Sequence, residues 1–155
     1  MPQLIKGGKY IFGWSKVGRK GKIKIPPKAY EEYNLKMDKY AIVFSGSKTS
    51  GGFGLSSVRI LKNTMMKEIL EQNTTLANYE TQEGEIIKFK NKKYSWVKIR
   101  EDGTINLSKR TLKAFEINYN DFLLSGRGSG LAIGFIAKGP IFNEAKKHPE
   151  IEIFQ

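Results

Sequence analysis

Eight basic side chains crowd the stretch from Met1 to Tyr30, at Lys6, Lys9, Lys16, Arg19, Lys20, Lys22, Lys24 and Lys28, with no aspartate or glutamate among them. The chemistry such a cluster offers is electrostatic: a local positive field captures polyanions, of which nucleic acid is the commonest in a cell. The formal charge of +12 is unevenly spread, with balances of +9 over residues 1–60, −1 over 61–82 and +4 over 83–155. A second candidate lies in the glycine-rich segments. Gly126-Arg127-Gly128-Ser129-Gly130 follows the apolar run Phe122-Leu123-Leu124, and Ser47-Lys48-Thr49 follows Tyr40 to Phe44. Backbone N–H groups with one cation, Arg127 or Lys48, could hold a small anionic effector there, helped by Ser47 or Ser129. Glycines in loops serve tight turns and bulges more often. The Gly-x-Gly-x-x-Gly spacing is missed, because the third position falls on Leu131 or Ile133, and no Walker-type ending follows.

Catalysis has little to work with. The 155 residues contain no cysteine, which removes disulfides, thiolate zinc sites and cysteine nucleophiles together. The one histidine, His148, falls at the end of an expected helix, where an imidazolium suits the helix dipole. Glu31-Glu32 and Glu101-Asp102 are paired carboxylates, but a helix surface and a turn are their expected settings, where solvation is the default. No enzyme activity, metal or cofactor is expected. No apolar run approaches the roughly 20 residues that span a bilayer, and the first residues lack a signal-peptide core, so no membrane partner and a cytoplasmic location are expected.

The elements that would position these groups come in two copies. When the sequence is slid along itself until Trp14 meets Trp96, Val17 meets Ile99, Gly21 meets Gly103, Ile23 meets Ile105 and Ile25 meets Leu107. Tyr30, Tyr33 and Leu35 meet Leu112, Phe115 and Ile117. Beyond Leu35 the register slips by two, so that Ser45-Gly46 meets Ser125-Gly126. The expected organisation is a first unit over 1–60, a helical insertion or linker over 61–82 and a second unit over 83–155, the two units intertwining as one globule.

Each unit reads as strand, turn, strand, short helix, strand, glycine-rich loop, strand. Lys22-Ile23-Lys24-Ile25 and Thr104-Ile105-Asn106-Leu107 alternate polar and apolar, the period of a half-buried strand, and a glycine turn precedes each. The pattern predicts a hairpin whose first arm carries the tryptophan. Pro26-Pro27 then starts a helix with Tyr30, Tyr33 and Met37 on one side, and Ser108 is a competent N-cap for Lys109 to Phe115. Four-residue steps of Met65, Ile69 and of Met66, Leu70 predict a helix over 63–72 whose stripe packs on the domain. A last helix is expected over 140–148, followed by a strand over 150–154.

Gly21-Lys22-Ile23-Lys24-Ile25-Pro26, followed by an aromatic and by Leu35-Lys36-Met37-Asp38, resembles the swapped-hairpin motif of AbrB-like transcription factors, which include SpoVT-type regulators and MazE-type antitoxins. The resemblance runs from Trp14 to Gly46, and Gly103 to Ser108 with Ile117 and Asp121 echoes it. It implies a mostly β fold with short helices, a tandem-duplicated swapped-hairpin barrel that forms a single-chain pseudo-dimer. It also implies duplex DNA held by basic residues at the glycine turn: Lys16, Arg19, Lys20, Lys22, Lys24 and Lys28, with Arg110 as the retained equivalent of Lys28. The second copy departs from this pattern systematically, since Glu101, Asp102, Thr104 and Asn106 stand where the first has Arg19, Lys20, Lys22 and Lys24. The expected grip on DNA is therefore one-sided, and a palindromic site would need two molecules, a homo-oligomer. The alternative is a ligand-binding or protein-interaction module on the same scaffold without DNA binding.

Overall fold

The alternating segments do become strands. In the computed structural model, which describes residues 10–128 and 130–155, Ile23, Ile25, Ile105 and Leu107 are fully buried while Lys22 is exposed. The first copy supplies β1 (Ile11–Lys16), β2 (Lys22–Lys24), α1 (Pro27–Glu32), β3 (Tyr40–Ser45) and β4 (Phe53–Ser56). Three short helices follow: α2 (Val58–Leu61), α3 (Lys67–Gln72) and α4 (Thr74–Ala77). The second copy supplies β5 (Ile87–Phe89), β6 (Lys92–Lys98), β7 (Thr104–Asn106), α5 (Lys109–Ala114), β8 (Phe122–Gly128) and β9 (Ala132–Ile136), and the chain ends with α6 (Pro140–Ala145) and β10 (Ile153–Phe154). The fold is mixed α/β and rich in strand.

The expected hairpins exist only at their bases. Gly18 N–H donates to the Lys22 carbonyl at 2.8 Å and Arg100 N–H to that of Thr104 at 2.9 Å, and then the arms part. Instead of pairing together they pair across the halves: β1 with β8, β6 with β3, β2 with β7 and β4 with β9. Trp14 stands opposite Leu124 and Trp96 opposite Ile42; Lys16 stands opposite Phe122 and Lys98 opposite Tyr40. The shift that carries Trp14 to Trp96 converts each of these pairs into the other. Ile23 faces Ile105, its own counterpart, and Gly54 faces Gly134, so both pairs straddle a local two-fold. The slip in register falls between Phe44 and Gly54, not directly after Leu35, because Phe44–Gly54 and Gly126–Gly134 are equivalent pairs and the first encloses the longer loop. Strand register is locked by the buried face, so only the loop absorbs inserted residues.

The strands do not close into the expected barrel. The large sheet runs β10-β1-β8-β9-β4-β3-β6-β5, with β10 covering the free edge of β1 and β5 that of β6, and β2–β7 forms a separate ribbon. That ribbon packs its isoleucines onto the sheet in a central cluster where Val17, Tyr33, Leu35 and Ala41 meet their counterparts Ile99, Phe115, Ile117 and Leu123. Phe53 stacks between Phe135 at 4.7 Å and Phe115 at 5.5 Å. Each fully buried Ile or Leu contributes about 1.5–3 kcal/mol.

The segments outside the repeat do equivalent jobs. Ile11, Trp14, Leu124 and Ile136 are covered by α6, and the matching outer surface of Ile42 and Tyr94 is covered by Leu61, Ile69, Leu70 and Leu76 of α2 to α4. The helix expected over 63–72 begins only at Lys67, since the Thr64 hydroxyl bonds the Leu61 carbonyl and accepts the Met66 N–H, closing a turn. Its stripe packs through Met66, Ile69 and Leu70, but Met65 is 87% exposed. Met37 is also exposed, because α1 ends at Glu32 and Asn34 turns the chain at φ +52°. Likewise α6 stops at Ala145, short of the expected His148, and the strand expected over 150–154 is confined to Ile153–Phe154, parallel to β1. No helix among the described residues is long and apolar enough to cross a membrane.

Candidate nucleic-acid interface

The β2–β7 ribbon buries Ile23 and Ile105 and turns Lys22, Lys24, Thr104 and Asn106 to its other side. Because the strands are antiparallel, its two ends carry the two glycine turns, and those ends differ in charge. At one end Leu107 N–H donates to the Gly21 carbonyl at 3.0 Å and Asn106 Nδ2 to that of Lys20 at 3.2 Å, so the Arg19–Gly21 turn packs on α5. Arg19, Lys20 and Lys22, all exposed, thereby join Lys109 and Arg110 at the start of α5. Ser108 shapes that start, its hydroxyl accepting the Thr111 N–H at 3.2 Å.

At the other end Ile25 N–H donates to the Gly103 carbonyl at 2.9 Å, which brings the start of α1 to the turn holding Glu101 and Asp102. The Lys24 ammonium donates to the Asp102 carbonyl. The Asp102 carboxyl is held below its ordinary range, first by the Thr104 hydroxyl at 2.6 Å, then by the Thr104 N–H at 3.1 Å and by the charges of Lys22 and Lys24. It is an anion at neutral pH. One end is thus cationic, the other mixes cations with two carboxylates, and Lys22 on the short ribbon between them is felt by Asp102 as well.

The strand exchange regroups the residues singled out by sequence. Lys28 is exposed on α1 at the Gly103 end, away from Arg19 and Lys20, whereas Arg110 is the second-copy residue brought to them. Sequence proximity suggested the reverse grouping for Lys28, because exchange sends each helix to the other copy's turn. Lys109 belongs to the cationic end and was missed; its place beside Arg110 was the available signal. Lys16 ends β1, half-buried, with its ammonium 5.6 Å from the centroid of the Phe122 ring.

The glycine-loop residues do not form one site. Arg127 is committed within the molecule: its Nε and Nη2 donate to the two Glu32 carboxylate oxygens at 2.7 and 2.6 Å, and its guanidinium lies 4.6 Å from the Tyr10 ring centroid. That bond to Glu32 pushes the guanidinium pKa up. Ser47 accepts the Ser50 N–H at 3.1 Å, and Lys48 is exposed. The two loops sit at opposite ends of the β4–β9 pair: Ser56 Oγ donates to the Leu131 carbonyl at one end and Ala137 N–H to that of Ser50 at the other. Ser129 lies outside the described residues. His148 Nδ1 is 2.9 Å from Glu150 Oε1, and among the described residues no group of three or more His, Cys, Asp or Glu side chains could hold a metal ion. Compared with known proteins, the chain matches no family model and no curated sequence.

Proposed function

We propose that this chain is a cytoplasmic DNA-binding regulator of AbrB-like type, a binding protein and not an enzyme, whose scaffold is a single-chain version of a swapped-hairpin dimer. The exchange of strands between the halves, with Ile23 facing Ile105 on the local two-fold, supports the architecture. The observation that carries the function is the cationic end of the ribbon, where Arg19, Lys20 and Lys22 of one copy share a surface with Lys109 and Arg110 of the other. Cations at a rigid turn neutralise backbone phosphates and release condensed counterions, with little need to read bases. The opposite end, where Glu101 and Asp102 offset the charges of Lys24 and Lys28, attracts the same polyanion less. One molecule therefore grips duplex DNA from one side, and a two-fold-symmetric site takes two molecules.

Anisotropy titration of a labelled duplex across salt concentrations tests this. Five phosphate contacts give a slope of log K against log salt of about −4.5. Arg19→Glu with Lys20→Asp, which copies the second turn, should flatten the slope by about two and lower affinity at least tenfold, and Arg110→Ala should flatten it by about one. A flat salt dependence, or equal losses from Lys28→Ala and Arg110→Ala, would sink the reading.

A further inference from the structure

Each loop region has a twin across the local two-fold, and one pair differs in a way that points to a ligand. In the second-copy loop the tip is closed from within. Arg127 at the end of β8 is clamped by Glu32 at the end of α1, and the neighbouring Tyr33 hydroxyl donates to the Ala132 carbonyl at 3.0 Å. The shift that relates Trp14 to Trp96 carries Arg127 to Ser45, Glu32 to Ala114 and Tyr33 to Phe115. None of the three closing groups has a counterpart: Ser45 lacks the guanidinium, Ala114 the carboxylate and Phe115 the phenol hydroxyl.

What occupies the twin position is an open cleft of about 420 Å³, with Ser45, Ala114 and Phe115 in its walls. Three lysines from separate parts of the chain reach it: Lys48 from the β3–β4 loop, Lys93 from β6 and Lys138 from the segment after β9. Among the described residues none of the three ammonium groups has a carboxylate within ion-pairing distance. Glu116 is the one acidic side chain in the lining. The segments behind the lysines are tied down. Ala137 and Lys138 N–H both donate to the Ser50 carbonyl, at 2.9 and 3.0 Å, and Lys93 N–H donates to Ser45 Oγ at 3.0 Å.

We propose that this cleft binds a small phosphate-bearing molecule, whose anionic oxygens take the place that the Glu32 carboxylate fills in the twin. Three lysines and one acid in the lining give a net charge of +2 at the site. Their mutual repulsion is relieved by a di- or trianion, and a polyphosphate oxygen array offers acceptors to all three. The cleft adjoins the C-terminal end of α5 and the basic turn adjoins its N-terminal end, so the site is distinct from the surface proposed for DNA. It stands whether or not that proposal does.

Calorimetric titration of sodium pyrophosphate into the full chain at low ionic strength tests it. Lys48→Ala and Lys138→Ala should each weaken binding about tenfold, Glu116→Gln should tighten it, and Arg19→Ala with Lys20→Ala should leave it unchanged. Ala114→Glu, which restores the acid of the twin, should weaken pyrophosphate binding more than tenfold while the thermal midpoint holds or rises. A second arm separates a free phosphate compound from a nucleic-acid backbone: duplex DNA added before the titration should leave the pyrophosphate isotherm in place. Undetectable binding overturns the proposal. So does binding indifferent to Lys48, Lys138 and Ala114, or a cleft that duplex DNA blocks.

Discussion

Gly21 and Gly103 are twins in sequence and in backbone conformation, at φ +74° and +78°, yet alanine should affect them very differently. Both substitutions force a side chain into left-handed geometry, at about 1–2 kcal/mol. At Gly103 the new Cβ meets only the Lys24 ammonium, 3.4 Å away at the end of a flexible side chain, so the cost stays in that range. At Gly21 the Cβ would lie 1.9 Å from the carbonyl oxygen of Leu107, a fully buried residue whose N–H is the donor to Gly21. The turn must move off the ribbon, and a buried hydrogen bond lost with it costs a further 1–3 kcal/mol or so. Gly21→Ala should therefore lose about 2–5 kcal/mol, a large part of the roughly 5–15 kcal/mol typical of a folded domain. Urea denaturation followed by the fluorescence of Trp14 and Trp96 reads both variants. With an m-value of about 1–3 kcal/mol/M, the extra loss of about 1–3 kcal/mol at Gly21 should separate the two midpoints by roughly 1 M. Equal losses would refute the reasoning, because they would mean that the two ends of the ribbon are packed alike.

Ser108→Ala removes an N-cap that also holds the Thr111 hydroxyl at 2.9 Å, and should cost about 1 kcal/mol in the same assay. Tyr33→Phe should cost about 0.5–1.5 kcal/mol at neutral pH through the lost bond to Ala132. Burial pushes the Tyr33 hydroxyl pKa up, with the nearby Glu32 charge adding to the rise, and burial does the same to Tyr79 and Tyr94. The unfolded chain therefore loses these protons first, and stability should fall as pH rises past about 10. Tyr33→Phe should fall less steeply there, and an unchanged alkaline limb would count against the burial argument.

Much of the architecture was legible because it rests on short-range patterns. Alternation around Ile23 and Ile105 put the right residues inside, and the alignment of Trp14 with Trp96 paired the copies correctly through Leu35 and Ile117, whereas the pairing of Ser45 with Ser125 placed the slip too early. The insertion helix was legible in its buried stripe at Ile69 and Leu70 but not in its start, because a side chain with a local alternative, Thr64, ended the preceding turn first. The barrel was not legible as open, since nothing in the alternation of Ile87 to Phe89 or Ile153 to Phe154 says that those strands take the edges.

Composition and periodicity by themselves determined that there are two copies of one unit, which side chains are core, and that the cations are concentrated in the first copy. These follow from near-neighbour geometry, in which a strand alternates and a glycine turn precedes it whatever the rest of the chain does. Only the tertiary structure decided which charges share a surface. Arg110 joins Lys20, Lys24 meets Asp102 and Arg127 is matched to Glu32. Each of these associations joins residues far apart in the chain, through strand pairings whose partners and register are set by long-range packing.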